Sequence, residues 1–289
     1  MRTMQDSIST KPLKKIAAIT MARNDDFFLT RWIGYYGREL GEENIFIYLD
    51  GEDQPVPGNA GRANVIHEKR VVEHVVSAEK RRLGFLSTVA KSLLERYDII
   101  IGVDADEFLV VDPKLGKSLR EYLSEIEINP SVSGLGMDVG QHLDLEKTLD
   151  KSAPFLTQRS YAYLSSRYTK PSVISQPVNW GSGFHRVKGR NFKIDPNLYL
   201  FHFGSVDYKM IQDRFLDKDR MATGRAGHIK KRAKTIDIVT QSKPKTEEKW
   251  LAIARRMQTF LRPVYAWNKP TMAKLKWVVK IPDRFREIV

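Results

Sequence analysis

Two acids, Asp104 and Asp106, stand one residue apart just beyond the apolar run Ile99-Ile100-Ile101-Gly102-Val103, and Glu107 follows at once. In extended geometry side chains alternate, so Asp104 and Asp106 share a side while small Ala105 faces away. Two carboxylates on one side can hold a divalent cation, which in turn grips phosphate oxygens. The bland alternative is a polar turn whose acids are merely solvated. Position favours the first reading. The run is short and rich in β-branched residues, as in a strand buried on both faces of a parallel sheet, and ligands of open α/β sheets sit beyond the carboxyl ends of such strands.

Other elements must hold those acids in place. Residues 15–21 (KIAAITM) predict a first strand that runs straight into Arg23-Asn24-Asp25-Asp26. A helix should follow, with Leu29, Trp32, Ile33, Tyr36 and Leu40 on one face; Asp25 or Asp26 could cap its start and Gly41 suits its end. Residues 44–49 (NIFIYL) predict a second strand closing on Asp50-Gly51, and residues 54–62 read as a loop before a short strand near 64–66. Over 77–96 the spacing of Leu83, Leu86, Val89, Leu93 and Leu94 predicts a helix with Lys80, Arg81 and Arg82 in its first turns. Ser118-Leu119-Arg120-Glu121 has the form of a capping box. This alternation predicts an α/β fold: a Rossmann-like, mostly parallel sheet flanked by helices. The stretch 132–203 is different, with short segments, turn residues and many aromatics, as in short strands and loops built over the end of a sheet. A last helix is expected over 247–261, with Trp250, Ile253, Ala254, Met257 and Leu261 on one stripe and Pro263 ending it.

The chain has 289 residues, 42% hydrophobic and 29% charged, ordinary values for a globular protein with a real core. No apolar run is long enough to span a bilayer, and residues 1–14 lack a secretory apolar core, so they read as a flexible leader. The absence of cysteine excludes disulfides, thiolate metal sites and a Cys nucleophile, and fits a cytoplasmic setting. The net charge of +13 is unevenly placed. Residues 225–289 hold 17 Lys/Arg against 5 Asp/Glu, whereas the first 224 hold 31 against 30. The chain therefore divides into the leader, a catalytic domain over 15–224, and a basic, helical, aromatic-containing extension over 225–289.

The order "strand, Arg-Asn-Asp, helix; strand, Asp; helix; strand, Asp-Ala-Asp-Glu-Phe-Leu" resembles family 2-like glycosyltransferases of the GT-A fold. Its closest likeness is to a bacterial subgroup with an Asp-x-Asp-Glu-Phe motif. The likeness runs from about Ile16 to about Arg220, with Lys170-Pro171, Trp180, Gly183-Phe184-His185 and His202 as later landmarks. The resemblance implies a nucleotide-sugar donor (a UDP- or GDP-sugar), a divalent ion (Mn2+ or Mg2+) and inverting transfer to a carbohydrate or lipid-linked acceptor. It implies that Arg23, Asn24 and Asp25 border base and ribose, that Asp50 faces the base, and that Asp104 faces the ribose or a metal-bound water. Asp106 would bind the metal, and His202 would be a late ligand to metal or diphosphate. The sequence departs from the family after the second strand, where Asp50-Gly51-Glu52-Asp53 only partly matches the usual Asp-Gly-Ser-x-Asp.

Simpler roles stand beside these: helix capping for Asn24 and Asp25, a turn for Asp50-Gly51, a core histidine for His202, a solvated helix face for Lys80, Arg81 and Arg82. The acceptor hydroxyl needs a base, and Asp138, after the Gly-rich GLGMD, and His185, closing the loop from Trp180, are the candidates. Trp180 and Phe184 could stack on an acceptor sugar or belong to the core. The basic tail, with Trp250, Phe260, Tyr265, Trp267 and Trp277, fits a peripheral anchor on an anionic inner membrane face or a helix packed on the catalytic domain. Nucleic acid is not expected as a partner, since no such motif is present and the body is near neutral. Two rival functions share the acidic motif: a metal-dependent phosphatase or phosphotransferase, and a non-catalytic nucleotide- or lipid-binding module.

Overall fold

The computed structural model describes residues 12–190, 192–216, 226–261, 268, 270 and 275–289. Four parallel strands form its centre: β1 (Ile16–Ala22), β2 (Ile45–Asp50), β3 (Asn64–Glu68) and β4 (Ile99–Gly102), in the order β3-β2-β1-β4. Helix α1 (Asp26–Leu40) links β1 to β2, and α2 (Val75–Leu93) links β3 to β4. The two helices cover opposite faces, and the alternation within β1 shows why. Ile16 and Ala18 pack with the Leu29, Trp32, Ile33 and Tyr36 face of α1. Ala17 and Ile19 pack with Leu83, Leu86 and Ala90 of α2. Strand β4 divides in the same way, Ile99 and Ile101 to one side and Ile100 to the other.

Beyond β4 the sheet turns antiparallel. Strand β5 is Glu107–Val111 and α3 is Leu119–Glu125, which opens with the expected capping box. Then come β6 (Ser131–Gly140), α4 (Phe155–Gln158), β7 (Tyr161–Leu164), β8 (Val173–Ile174) and β9 (Ile194–Ser205). The short β8 joins β4 to β6, and β9 lies parallel to β6 and antiparallel to β5. Helices α5 (Tyr208–Leu216), α6 (Ala226–Gln241) and α7 (Lys249–Phe260) and strand β10 (Val278–Lys280) complete the described elements. Because β1 lies between β2 and β4, the connections leave it in opposite directions. Such a switch point opens a crevice at the strands' carboxyl ends.

Among the described residues, the segment from Ala226 onward carries α6 and α7, and its far end is tied to the rest of the fold. β10 pairs antiparallel with β7 at the sheet edge, and the carbonyl of Val289 accepts hydrogen bonds from Phe155 and Leu156 N–H. Arg284 grips the buried Asp112 carboxylate with Nε and Nη2, at 2.7 and 3.0 Å. The buried stripe of α7 is also displaced from expectation: Leu251, Ala254 and Gln258 face inward, while Leu261 is exposed. Gln258 is drawn in because its Oε1 accepts from Thr169 Oγ1, which itself accepts from the Gly136 N–H. Trp250 packs edge-on against Trp277, with Lys245 Nζ 3.7 Å from its ring centre. No described helix is long and apolar enough to cross a membrane. Most of the expected leader, the 224/225 boundary, Tyr265 and Trp267 lie outside the described residues.

Candidate active site

A cavity of about 420 Å³ opens at the switch point, beyond the carboxyl ends of β1, β2 and β4. Asp25, Asp50, Asp104, Asp106, His185 and His202 all line it. Gly102 lets β4 end there, since a Cβ at that position would stand 2.8 Å from the Trp180 ring and 2.9 Å from Phe184. Those two aromatics are therefore core, packed edge to face over the strand end, and not a platform for a sugar.

Register builds the centre of the site. Glu107 opens β5 opposite His202 of β9, and His202 is in turn beside Asp138 of β6. Three strands thus set Glu107, His202 and Asp138 in one row, at the close spacing of cross-strand neighbours. His202 Nδ1 donates to Asp138 Oδ1 at 2.7 Å, and Nε2 lies 3.5 Å from Asp106 Oδ2. The Tyr168 ring stacks on the imidazole with centroids 3.7 Å apart. Burial alone would lower the pKa of His202, but Asp106 and Asp138 on either side raise it to about 9, so both ring nitrogens carry protons at neutral pH. Asp138 Oδ2 accepts from Thr235 Oγ1 at 2.7 Å.

The other acids are matched by cations. Arg82 donates to Asp104 Oδ1 at 2.9 Å and to Glu79, while Lys170 Nζ is 2.9 Å from Asp104 Oδ2 and 2.5 Å from Glu107 Oε1. Against the burial that would raise it, Lys170 and then Arg82 hold the Asp104 carboxyl well below the usual range. Arg232 on α6 reaches Asp106 Oδ2 at 2.6 Å, and with His202 it holds Asp106 low despite burial. Glu107 goes the other way: burial pushes it up, and Asp104 adds to the push. Glycine again makes room, because a Cβ at Gly136 would come within 2.6 Å of the backbone of Ser165, Tyr168 and Thr169, the loop that delivers Tyr168 and Lys170.

The remaining expected residues surround this centre. Arg23 reaches the Asp50 carbonyl at 3.0 Å and forks onto Asp53 at 2.5 and 2.7 Å. Asn24 takes a left-handed backbone (φ 48°), and its N–H donates to Gln54 Oε1. Asp25 stands at the N-cap of α1 but makes no capping bond; its carboxylate accepts from Arg214 at 2.9 Å. His185 Nδ1 donates to the Arg167 carbonyl at 2.8 Å, so the neutral ring keeps Nε2 as an acceptor. Burial, then Lys170 and Arg167, push its pKa down to about 3. Asp138, expected as a base, lies behind His202 with both oxygens engaged and does not line the cavity. Arg82, expected on a solvated face or a diphosphate clamp, turns inward to Asp104.

Nothing in the local sequence marks Glu79, Tyr168, Arg232 or Thr235 as site residues, and Lys170 stands out only as a landmark of the resemblance. The positive charge of Arg232 was visible in the run 225–234, but its destination was not. As a metal site the donor set fits. Asp106, Glu107 and His202 each offer a ligand atom, all within 4.8 Å of one another. The carboxylate of Asp138 on the far nitrogen of His202 is the support a metal-bound histidine usually has. Binding there requires His202 Nε2 to give up its proton and Arg232 to yield Asp106.

No protein-family model matches the sequence, and no curated protein does. Among the solved structures that resemble the fold are two enzymes whose names refer to phosphate- or nucleotide-linked sugars. One is mannose-1-phosphate geranyltransferase from Thermus thermophilus, 11% identical over 73% of this chain and 64% of that chain, with a TM-score of 0.30. The other is CMP:2-keto-3-deoxy-manno-octonic acid synthetase complexed with CTP, 10% identical over 76% of this chain and 87% of that one, also at 0.30. The alignment thus takes in less than two thirds of the first enzyme's own length. At this overlap neither bears on the chemistry, which rests on the side chains in the cavity.

Proposed function

We propose that the cavity binds a nucleotide-sugar, a UDP- or GDP-sugar, and transfers the sugar to a glycan or lipid-linked acceptor with a divalent ion as cofactor. One observation carries the reading: Asp104 and Asp106 line the switch-point crevice of a parallel sheet, where Asp106 lies beside His202, itself backed by Asp138. Asp106 and His202 would hold Mn2+ or Mg2+, with Glu107 in reach. Such an ion supplies Lewis-acid neutralisation of a leaving diphosphate. The resemblance of the Asp104–Leu109 motif to family 2-like glycosyltransferases supports the same assignment.

The protein's own groups divide the remaining work. Arg82 and Lys170 fix Asp104 as a charged acceptor toward the ribose, and Asp50, with Arg23 on its carbonyl, borders the base. Of the two base candidates, His185 is the one that faces the cavity. With a pKa near 3 it orients an acceptor hydroxyl through Nε2 and is a weak proton acceptor. The phosphatase rival gains nothing here, since Asp104 is clamped by two cations and poorly placed to act as a nucleophile.

The direct test is release of nucleoside diphosphate from a panel of UDP-, GDP- and CDP-sugars with Mn2+, using the full chain. One nucleotide class should be turned over, and Asp106→Asn should abolish release. Absence of release from every donor, including with added acceptor extracts, counts against the transferase reading.

A further inference from the structure

Most cations in the cavity are committed to acids. Arg23 pairs with Asp53, Arg81 with Glu73, Arg82 and Lys170 with Asp104, Arg214 with Asp25, and Arg232 with Asp106. Two others line the same cavity with no ion pair or side-chain hydrogen bond among the described residues: Arg167, on the loop after β7, and Lys231, on α6. They come from different elements and share the wall of one cavity. The Lys231 ammonium is held below its usual range by partial burial and then by the Arg167 guanidinium. Arg167 also disfavours charge on His185, whose Nδ1 it anchors through its own carbonyl. Two cations lining one cavity and paired with no described acid are an electrostatic cost in the free protein, and an anion bound in that cavity relieves it.

We propose that Arg167 and Lys231 form an oxyanion subsite, on the His185 side of the cavity, that takes a phosphate or carboxylate group of a ligand. On the transferase reading, on which this assignment of source rests, the group belongs to the acceptor sugar, because Arg167 shares its part of the wall with His185. The same chemistry could be met by the donor diphosphate, and the two sources are separable.

The experiment is calorimetric titration of the full chain with inorganic phosphate, glucose 6-phosphate, glucuronate and UDP or GDP. The variants are Arg167→Gln, Lys231→Gln, the double variant, and Lys234→Gln as a control on the exposed side of α6. Phosphate should bind the wild type and the control alike and weaken about tenfold or more in the double variant, as expected for loss of charge-assisted hydrogen bonds. Nucleotide affinity unchanged in the double variant assigns the subsite to the acceptor, and a parallel fall assigns it to the donor diphosphate; either supports the subsite. Phosphate binding that is absent from the wild type, or equal in the double variant, overturns it. If phosphate binding is variant-sensitive but no nucleotide binds, the subsite stands and the transferase reading fails.

Discussion

Replacing Asp138 by Asn removes one of the two anions that hold His202 protonated while leaving an oxygen to accept from Nδ1. In the wild type the His202 pKa rises from 6.5 to about 9. A raised histidine contributes stability that is complete below pH 6.5 and lost as pH rises through 9. At 1.36 kcal/mol per pH unit the contribution is about 3 kcal/mol, an order-of-magnitude figure for so buried a group. Asp106, 3.5 Å from Nε2, is not altered by the substitution, so about half of that should survive. Two assays read this in the presence of a chelator. Urea unfolding at pH 6, 8 and 10 should show the wild type losing its advantage over Asp138→Asn as pH rises, the difference cancelling background titration of other groups. NMR titration of the His202 ring should place its midpoint near 9 in the wild type and lower in the variant. A wild-type midpoint at or below 6.5, or a stability difference that does not change with pH, would refute the account of the His202 row.

Lys170→Met should destabilise by about 3–5 kcal/mol in denaturant unfolding, because it strands buried Glu107 and weakens the pairing of Asp104. Adding Glu107→Gln should recover a good part of that loss, and no recovery would show the two are not coupled. Arg284→Ala should cost about 1–3 kcal/mol and lower the melting temperature, since it leaves the Asp112 carboxylate buried without its forked partner. An unchanged melting temperature would mean that the C-terminal segment is not anchored through this pair.

The parts of this fold legible in the sequence were those written in local period. β1, β2 and β4 are short apolar runs, α1 and α2 carry their buried residues at helical spacing, and Ser118 with Glu121 marks the start of α3. The acidic pair was legible for the same reason, since a strand that ends in Asp104 and Asp106 needs only neighbouring residues to recognise. What was not legible depends on register between distant strands. Nothing local says that Asp138 will sit beside His202, 64 residues on, so Asp138 reads as a free base, whereas both its oxygens are engaged by His202 and Thr235. The same holds for Arg232, whose charge reads as tail but whose partner is Asp106, and for Gln258, a polar residue pulled into the buried stripe of α7 by Thr169. Trp180 and Phe184 can be read from sequence as a sugar platform or as core, and the structure decides for core. They flank a glycine-rich loop, but the missing side chain at Gly102 is what draws them into the core.

The central claim is that Asp106 and His202 assemble a metal-assisted nucleotide site, and thermal-shift titration tests it most directly. UDP, GDP and CDP would be added with and without Mn2+ to the wild type and to Asp106→Ala. Ligand at about 100 times its dissociation constant should add about 2.7 kcal/mol of stability. One nucleotide should raise the melting temperature only when metal is present, and the rise should vanish in Asp106→Ala. Stabilisation by no nucleotide under any metal condition, or stabilisation that survives intact in Asp106→Ala, would contradict the claim.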